Sequence, residues 1–131
     1  MFWKRIVIAD HEKVIISRRG RVRGILDSGA HRIFLAPGVP LEMERHDTRV
    51  ALFESEWTEY LLAYRPDLIR RYFVVITTTE VEVGMVYVDG ELVKVLPPAN
   101  CALFWRDAGT VTAELVTVIA EADSLVDSLP V

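Results

Sequence analysis

Glu12-Lys13-Val14-Ile15-Ile16-Ser17-Arg18-Arg19-Gly20-Arg21-Val22-Arg23-Gly24-Ile25-Leu26 is the stretch on which the fold turns. A β-branched run meets a turn at Gly20, and an alternating run follows. This is the pattern of strand, tight turn and strand. Seventy residues later, Glu82-Val83-Gly84-Met85-Val86-Tyr87-Val88-Asp89-Gly90-Glu91-Leu92-Val93-Lys94-Val95-Leu96 follows the same plan. Glu12 then meets Glu82, Ile15 meets Met85, Val22 meets Leu92 and Ile25-Leu26 meets Val95-Leu96. Asp89-Gly90 is a strong signal for a type I′ hairpin turn. Further out, Ile33-Phe34 meets Leu103-Phe104, and His31 meets Cys101. Asp27-Ser28-Gly29 and Pro97-Pro98-Ala99-Asn100 supply a second turn in each copy. We read the chain as two copies of one β unit.

The segment between the copies changes period. Trp57, Tyr60, Leu61, Tyr64 and Leu68 form the stripe of an amphipathic helix. Ser55 is the expected N-cap, with Glu56 and Glu59 in the first turn. Pro66 disfavours helix at Arg65 and suits the start of a second short helix, 66–71. Strands are expected near 4–9, 12–19, 21–27, 31–35, 41–53, 72–78, 80–88, 91–96, 101–105 and 110–119. The 18 Val and 9 Ile concentrate in these regions. The expected fold is α+β, with two β-rich repeats (antiparallel meanders) joined by a short helical connector in one compact unit. Repeat 1 covers 1–53, the connector 54–71, repeat 2 covers 72–120 and a C-terminal tail covers 121–131.

Charge is divided between the copies. Residues 1–50 hold 10 Lys/Arg against 6 Asp/Glu, residues 51–71 hold 3 against 4, and residues 72–131 hold 2 against 9. The net charge of −4 is therefore the remainder of a basic repeat and an acidic one. Such polarity bears on association. Arg18, Arg19, Arg21 and Arg23 are the candidate basic docking residues, and Glu80, Glu82, Asp89 and Glu91 their acidic counterparts. Docking one copy's basic face on another's acidic face is a heterologous contact, which forms a ring or a filament. Two other readings of the arginines are a solvated strand face and contact with anionic lipid headgroups. The acidic balance, with a pI near 5.4, and the lack of interleaved aromatics argue against nucleic acid.

At 131 residues and 51% apolar, the chain is long and hydrophobic enough to bury a core without staples. Cys101 is its single cysteine, so no disulfide framework or multi-cysteine zinc site is expected. His11, His31 and His46 show no metal-ligand spacing, and no cofactor is expected. No nucleophile elbow, phosphate loop or dinucleotide fingerprint is present, so a non-enzymatic role is expected. An alternative is a small-ligand-binding β-module with an aromatic pocket of Trp57, Tyr60, Phe104 and Trp105. No apolar run reaches the ~18 residues of a membrane span, and the N-terminal apolar stretch is short for a signal peptide. The expected location is therefore the cytoplasm.

Ile6-Val7-Ile8-Ala9-Asp10-His11-Glu12-Lys13-Val14-Ile15-Ile16, then Arg18-Arg19-Gly20-Arg21, then Ile25 to Ile33 with His31-Arg32, resembles the opening of bacterial slipins. These belong to the stomatin/prohibitin/flotillin (SPFH) superfamily. In slipins with an extended N-terminal region, segments similar to Arg65-Pro66-Asp67-Leu68-Ile69, Asp89-Gly90, Val95-Leu96-Pro97-Pro98 and Leu103-Phe104-Trp105 also recur. The resemblance spans about residues 4–119. It implies a non-enzymatic assembly module of a membrane scaffold that self-associates or binds other scaffold subunits, at the periphery of the inner membrane. The family's membrane anchor and long assembly helix have no counterpart in these residues.

Overall fold

The computed structural model describes residues 2–35 and 38–118. The strands of the first half are β1 (Phe2–Ile8), β2 (Glu12–Arg18), β3 (Arg21–Leu26), β4 (Gly29–Leu35), β5 (Leu41–Asp47) and β6 (Leu52–Phe53). Two short helices follow, α1 (Thr58–Tyr64) and α2 (Pro66–Tyr72). The second half holds β7 (Phe73–Thr77), β8 (Glu82–Val88), β9 (Glu91–Leu96), β10 (Cys101–Trp105) and β11 (Val111–Thr117), with a 3-10 turn at Arg106–Ala108. The fold is mostly β with two short helices, compatible with the α+β class. The expected tail, 121–131, lies outside the described residues.

The strand order is not that of a meander. β1 pairs with β4, while β2 sits between β3 and β5. The reason lies in β2, which is apolar on both faces. Val14 and Ile16 pack with Ile6 and Ile8 of β1. Ile15, on the opposite face, packs with Val22, Ile25 and residues of the second half. A strand buried on both faces takes a central place with a layer on each side.

The expected strand 41–53 is likewise broken in two. Asp47 accepts hydrogen bonds from the Arg49 backbone N–H at 2.9 Å and from its guanidinium at 2.8 Å. The Val50 N–H closes the turn onto the Asp47 carbonyl at 3.2 Å. Aspartate bonded to the backbone two residues on is a turn former, and it ends β5. The hydrogen bonds from Arg49 hold the Asp47 carboxyl down to about 2. In an NMR pH titration, Arg49→Ala should return the Asp47 midpoint towards 3.8.

Several pairings of the first half recur in the second at an offset of 70. In one sheet Glu12 pairs with Asp47 and in the other Glu82 with Thr117. Val14 pairs with Leu26, and Gly84 with Leu96. Both hairpins carry a bulge, between Ile16 and Ser17 and between Val86 and Tyr87. Both turns place two residues at positive φ, Arg19 (55°) and Gly20 (70°) in one, Asp89 (51°) and Gly90 (84°) in the other. That is the backbone of a type I′ turn, where glycine is unstrained. Glu12 Oε1 accepts from the Ala9 N–H at 3.2 Å, and Glu82 Oε1 from the Thr79 N–H at 3.1 Å.

The correspondence slips by one residue at β4 and β10. Val7 pairs with Ala30, whereas Thr77 pairs with Cys101. Cys101 is therefore the counterpart of Ala30, not of His31. The cause is the connecting turn: three residues separate Leu26 from Ala30, and four separate Leu96 from Cys101, one more in the second half. His31 Nε2 lies 2.7 Å from the Asp27 carbonyl oxygen. A carbonyl only accepts, so the ring donates there and braces the turn.

The helices pack over the first sheet. Leu61, Leu68, Ile69 and Tyr72 are buried in the same cluster as Ile15. Pro66 occupies the first position of α2, as its missing N–H allows. The expected cap at Ser55 is not made: α1 starts at Thr58 with Trp57 as its N-cap and no side-chain capping bond, and Ser55 Oγ accepts from the Trp57 N–H at 3.1 Å ahead of the helix.

One buried charge ties the halves together. Lys13 is 7% exposed, and its Nζ lies 2.8 Å from Asp27 Oδ1 and 2.9 Å from Asp107 Oδ2. Burial pulls the Lys13 pKa down, but the hydrogen bonds to Asp107 and Asp27 outweigh it and hold it above the usual lysine value. Burial raises the Asp27 carboxyl, and Lys13 overcomes this and holds it below its ordinary value.

Candidate interaction surfaces

The two hairpin tips stand at equivalent places and carry opposite charge. Arg19 and Arg21 flank Gly20, and Asp89 and Glu91 flank Gly90. All four are exposed, because a two-residue turn leaves its neighbours no layer to pack against. Arg23 is exposed on β3, and Glu80 stands before β8. No ion pair joins the basic and acidic sets among the described residues.

Three of the expected docking residues are engaged within their own half. Arg18 Nη2 donates to the Phe34 carbonyl at 3.2 Å, so its guanidinium is tied to β4. Asp89 Oδ1 accepts from the Thr110 N–H at 2.8 Å, and its carboxylate fills the space beside Gly109. Glu82 takes the Thr79 N–H, as described above. Arg19, Arg21 and Arg23 against Glu80 and Glu91 remain as the accessible charges.

The expected aromatic pocket is not formed. Phe104 is 0% and Trp105 1% exposed. Neighbours on a strand point to opposite faces. Phe104 accordingly packs with Val86 and Leu96, while Trp105 packs with Phe73 and Phe53. No described cavity is lined by either ring. Trp57 and Tyr60 meet edge to face, centroids 5.3 Å apart, at the edge of the core. Tyr60 also lines an open groove of about 600 Å³ with Tyr64, Arg19 and Arg21. Cys101 is exposed, and its side-chain contact is Thr77 Oγ1 at 3.7 Å.

Two features escaped the sequence reading. The first is Lys13, whose counterpart in the second half is Val83. A lysine where the other half has valine is a legible sign of a specific partner. The second is the set of large apolar residues left in solvent on the sheets, among them Trp3 (64%), Val95 (51%) and Leu92 (49%). Alternation alone does not say which face of a strand is covered.

Scans of the chain against family models, curated proteins and solved structures found no match. No helix among the described residues is long and apolar enough to cross a membrane.

Proposed function

We propose that the chain is a non-enzymatic assembly module. Its two halves are copies of one β unit, and it self-associates by docking the basic copy of one chain on the acidic copy of the next. The resemblance to slipins supports a place in a membrane-peripheral scaffold at the cytoplasmic face. The observation that carries the reading is the pair of equivalent hairpin tips, with accessible arginines at 19 and 21 on one and the accessible Glu91 on the other. Matched backbone with reversed charge gives complementary surfaces on one molecule, and a heterologous contact uses both.

Exposed charge pairs are screened within ~8 Å at physiological ionic strength. The expected result in sedimentation velocity is therefore association at low salt that weakens at high salt. Arg21→Glu and Glu91→Arg should each reduce it, and mixing the two variants should restore a heterologous pair. A chain that stays monomeric at high concentration in both salts overturns the reading.

A further inference from the structure

Within the chain, one face of each half meets a different fate. The aromatic pair Phe73 and Trp105, opposite each other on β7 and β10 with rings 4.5 Å apart, is buried in the cluster that holds Ile15, Val22 and Ile25. The layer of the second half thus covers the sheet of the first. The equivalent pair in the first half is Trp3 and Phe34, opposite each other on β1 and β4 with rings 5.3 Å apart. These rings are 64% and 38% exposed. The equivalents of Ile15, Val22 and Ile25 are Met85, Leu92 and Val95. The first three are 1%, 3% and 7% exposed, whereas Leu92 is 49% and Val95 51% exposed. One contact is made inside the molecule, and its two halves are left open at opposite ends.

We infer that Trp3 and Phe34 of one chain dock on Met85, Leu92 and Val95 of a second copy, repeating between chains the contact made within one. The inference rests on the self-association proposed above and names the apolar surface that carries it. Charge agrees with the assignment. Arg5 lies directly opposite Arg32 on the face of Trp3 and Phe34, and neither has an acidic partner within 4.0 Å among the described residues. Like charges opposite each other repel. Glu114 lies opposite Met85 on β11, an edge strand of the receiving sheet, exposed and unpaired among the described residues. Exposed apolar residues grouped on one face and rimmed by charge mark an interaction site. The contact is head to tail, so it propagates or closes into a ring.

The test uses the full chain with Trp3→Asp on one face and Leu92→Asp/Val95→Asp on the other. All three positions are exposed, and circular dichroism checks that the fold is retained. Each variant alone should sediment as a monomer under the low-salt conditions where the unaltered chain associates. Mixed in equal amounts they should form a heterodimer and nothing larger, since one sound surface of each kind remains. On association the fluorescence of the unaltered chain should shift to the blue as Trp3 leaves water. Association that persists in both variants but is lost in Arg21→Glu overturns this interface and leaves charge docking standing. A mixture that stays monomeric overturns the pairing of these two faces. An unaltered chain that is monomeric at low salt and high concentration overturns both proposals.

Discussion

Trp105→Ala should remove a large part of the stability of the chain. Trp105 is 1% exposed, and its ring lies 4.5 Å from Phe73, 5.3 Å from Phe53 and 5.7 Å from His46. It fills the space where the second half's layer meets the first half's sheet. Truncating a buried tryptophan costs about 3–5 kcal/mol, from lost transfer energy and the cavity left behind. Domains of this size have about 5–15 kcal/mol in all. Urea denaturation at high salt, where association is weakest, measures the loss. Trp3→Ala is the control. Its ring is 64% exposed, and the change should stay within about 0.5 kcal/mol. If Trp105→Ala costs no more than Trp3→Ala, the two halves are not packed through this ring.

Asp27→Asn/Asp107→Asn should be the second large effect. It leaves the Lys13 ammonium buried without a counter-charge. Breaking a fully buried pair costs about 3–5 kcal/mol, and about 2 kcal/mol is expected here because water reaches both aspartates. Their side chains are 43% and 64% exposed, against 8% for Lys13. Lys13→Met removes the buried charge instead, and both aspartates keep their water. It should be close to neutral, since a well-packed apolar side chain replaces a buried ion at little cost. The order of the two variants in a denaturation series is the test. Equal losses would mean that the ammonium is hydrated and not buried.

The same triad shapes the pH profile. The Asp27 pKa in the fold lies below 3.8, so its contribution is present above that value and is lost as pH falls through the lowered one. The Lys13 pKa lies above 10.5, so its contribution is full below that value and is lost as pH rises through the raised one. Lys13→Met should flatten both limbs of the stability curve that the unaltered chain shows.

Reading alternation and turns captured the local structure. Arg19-Gly20 and Asp89-Gly90 marked the hairpins because a two-residue turn needs positive φ. The stripe from Trp57 to Leu68, broken at Pro66, marked the pair of helices. The separation of Phe104 from Trp105 was also legible, because neighbouring strand residues cannot share a pocket wall. The turn at Asp47 was written in Asp47 and Arg49, two residues apart. These are short-range effects, set by a few dihedrals and the side chains beside them.

Which strands became neighbours and which faces were covered depended on residues far apart in the chain. β2 is apolar on both faces, and nothing within its seven residues says that β1 lies on one side of it and Trp105 on the other. Equal sequence offsets gave Cys101 to His31, until one extra residue in a turn moved the register by one. Lys13 became a buried charge only because Asp27 and Asp107 converged on it from both halves. The sequence alone determined the hairpins, the helices and the opposite charge of the two halves. Only tertiary packing decided that Phe73 and Trp105 are buried while Trp3 and Phe34 are open, because burial depends on what the rest of the chain lays over a face.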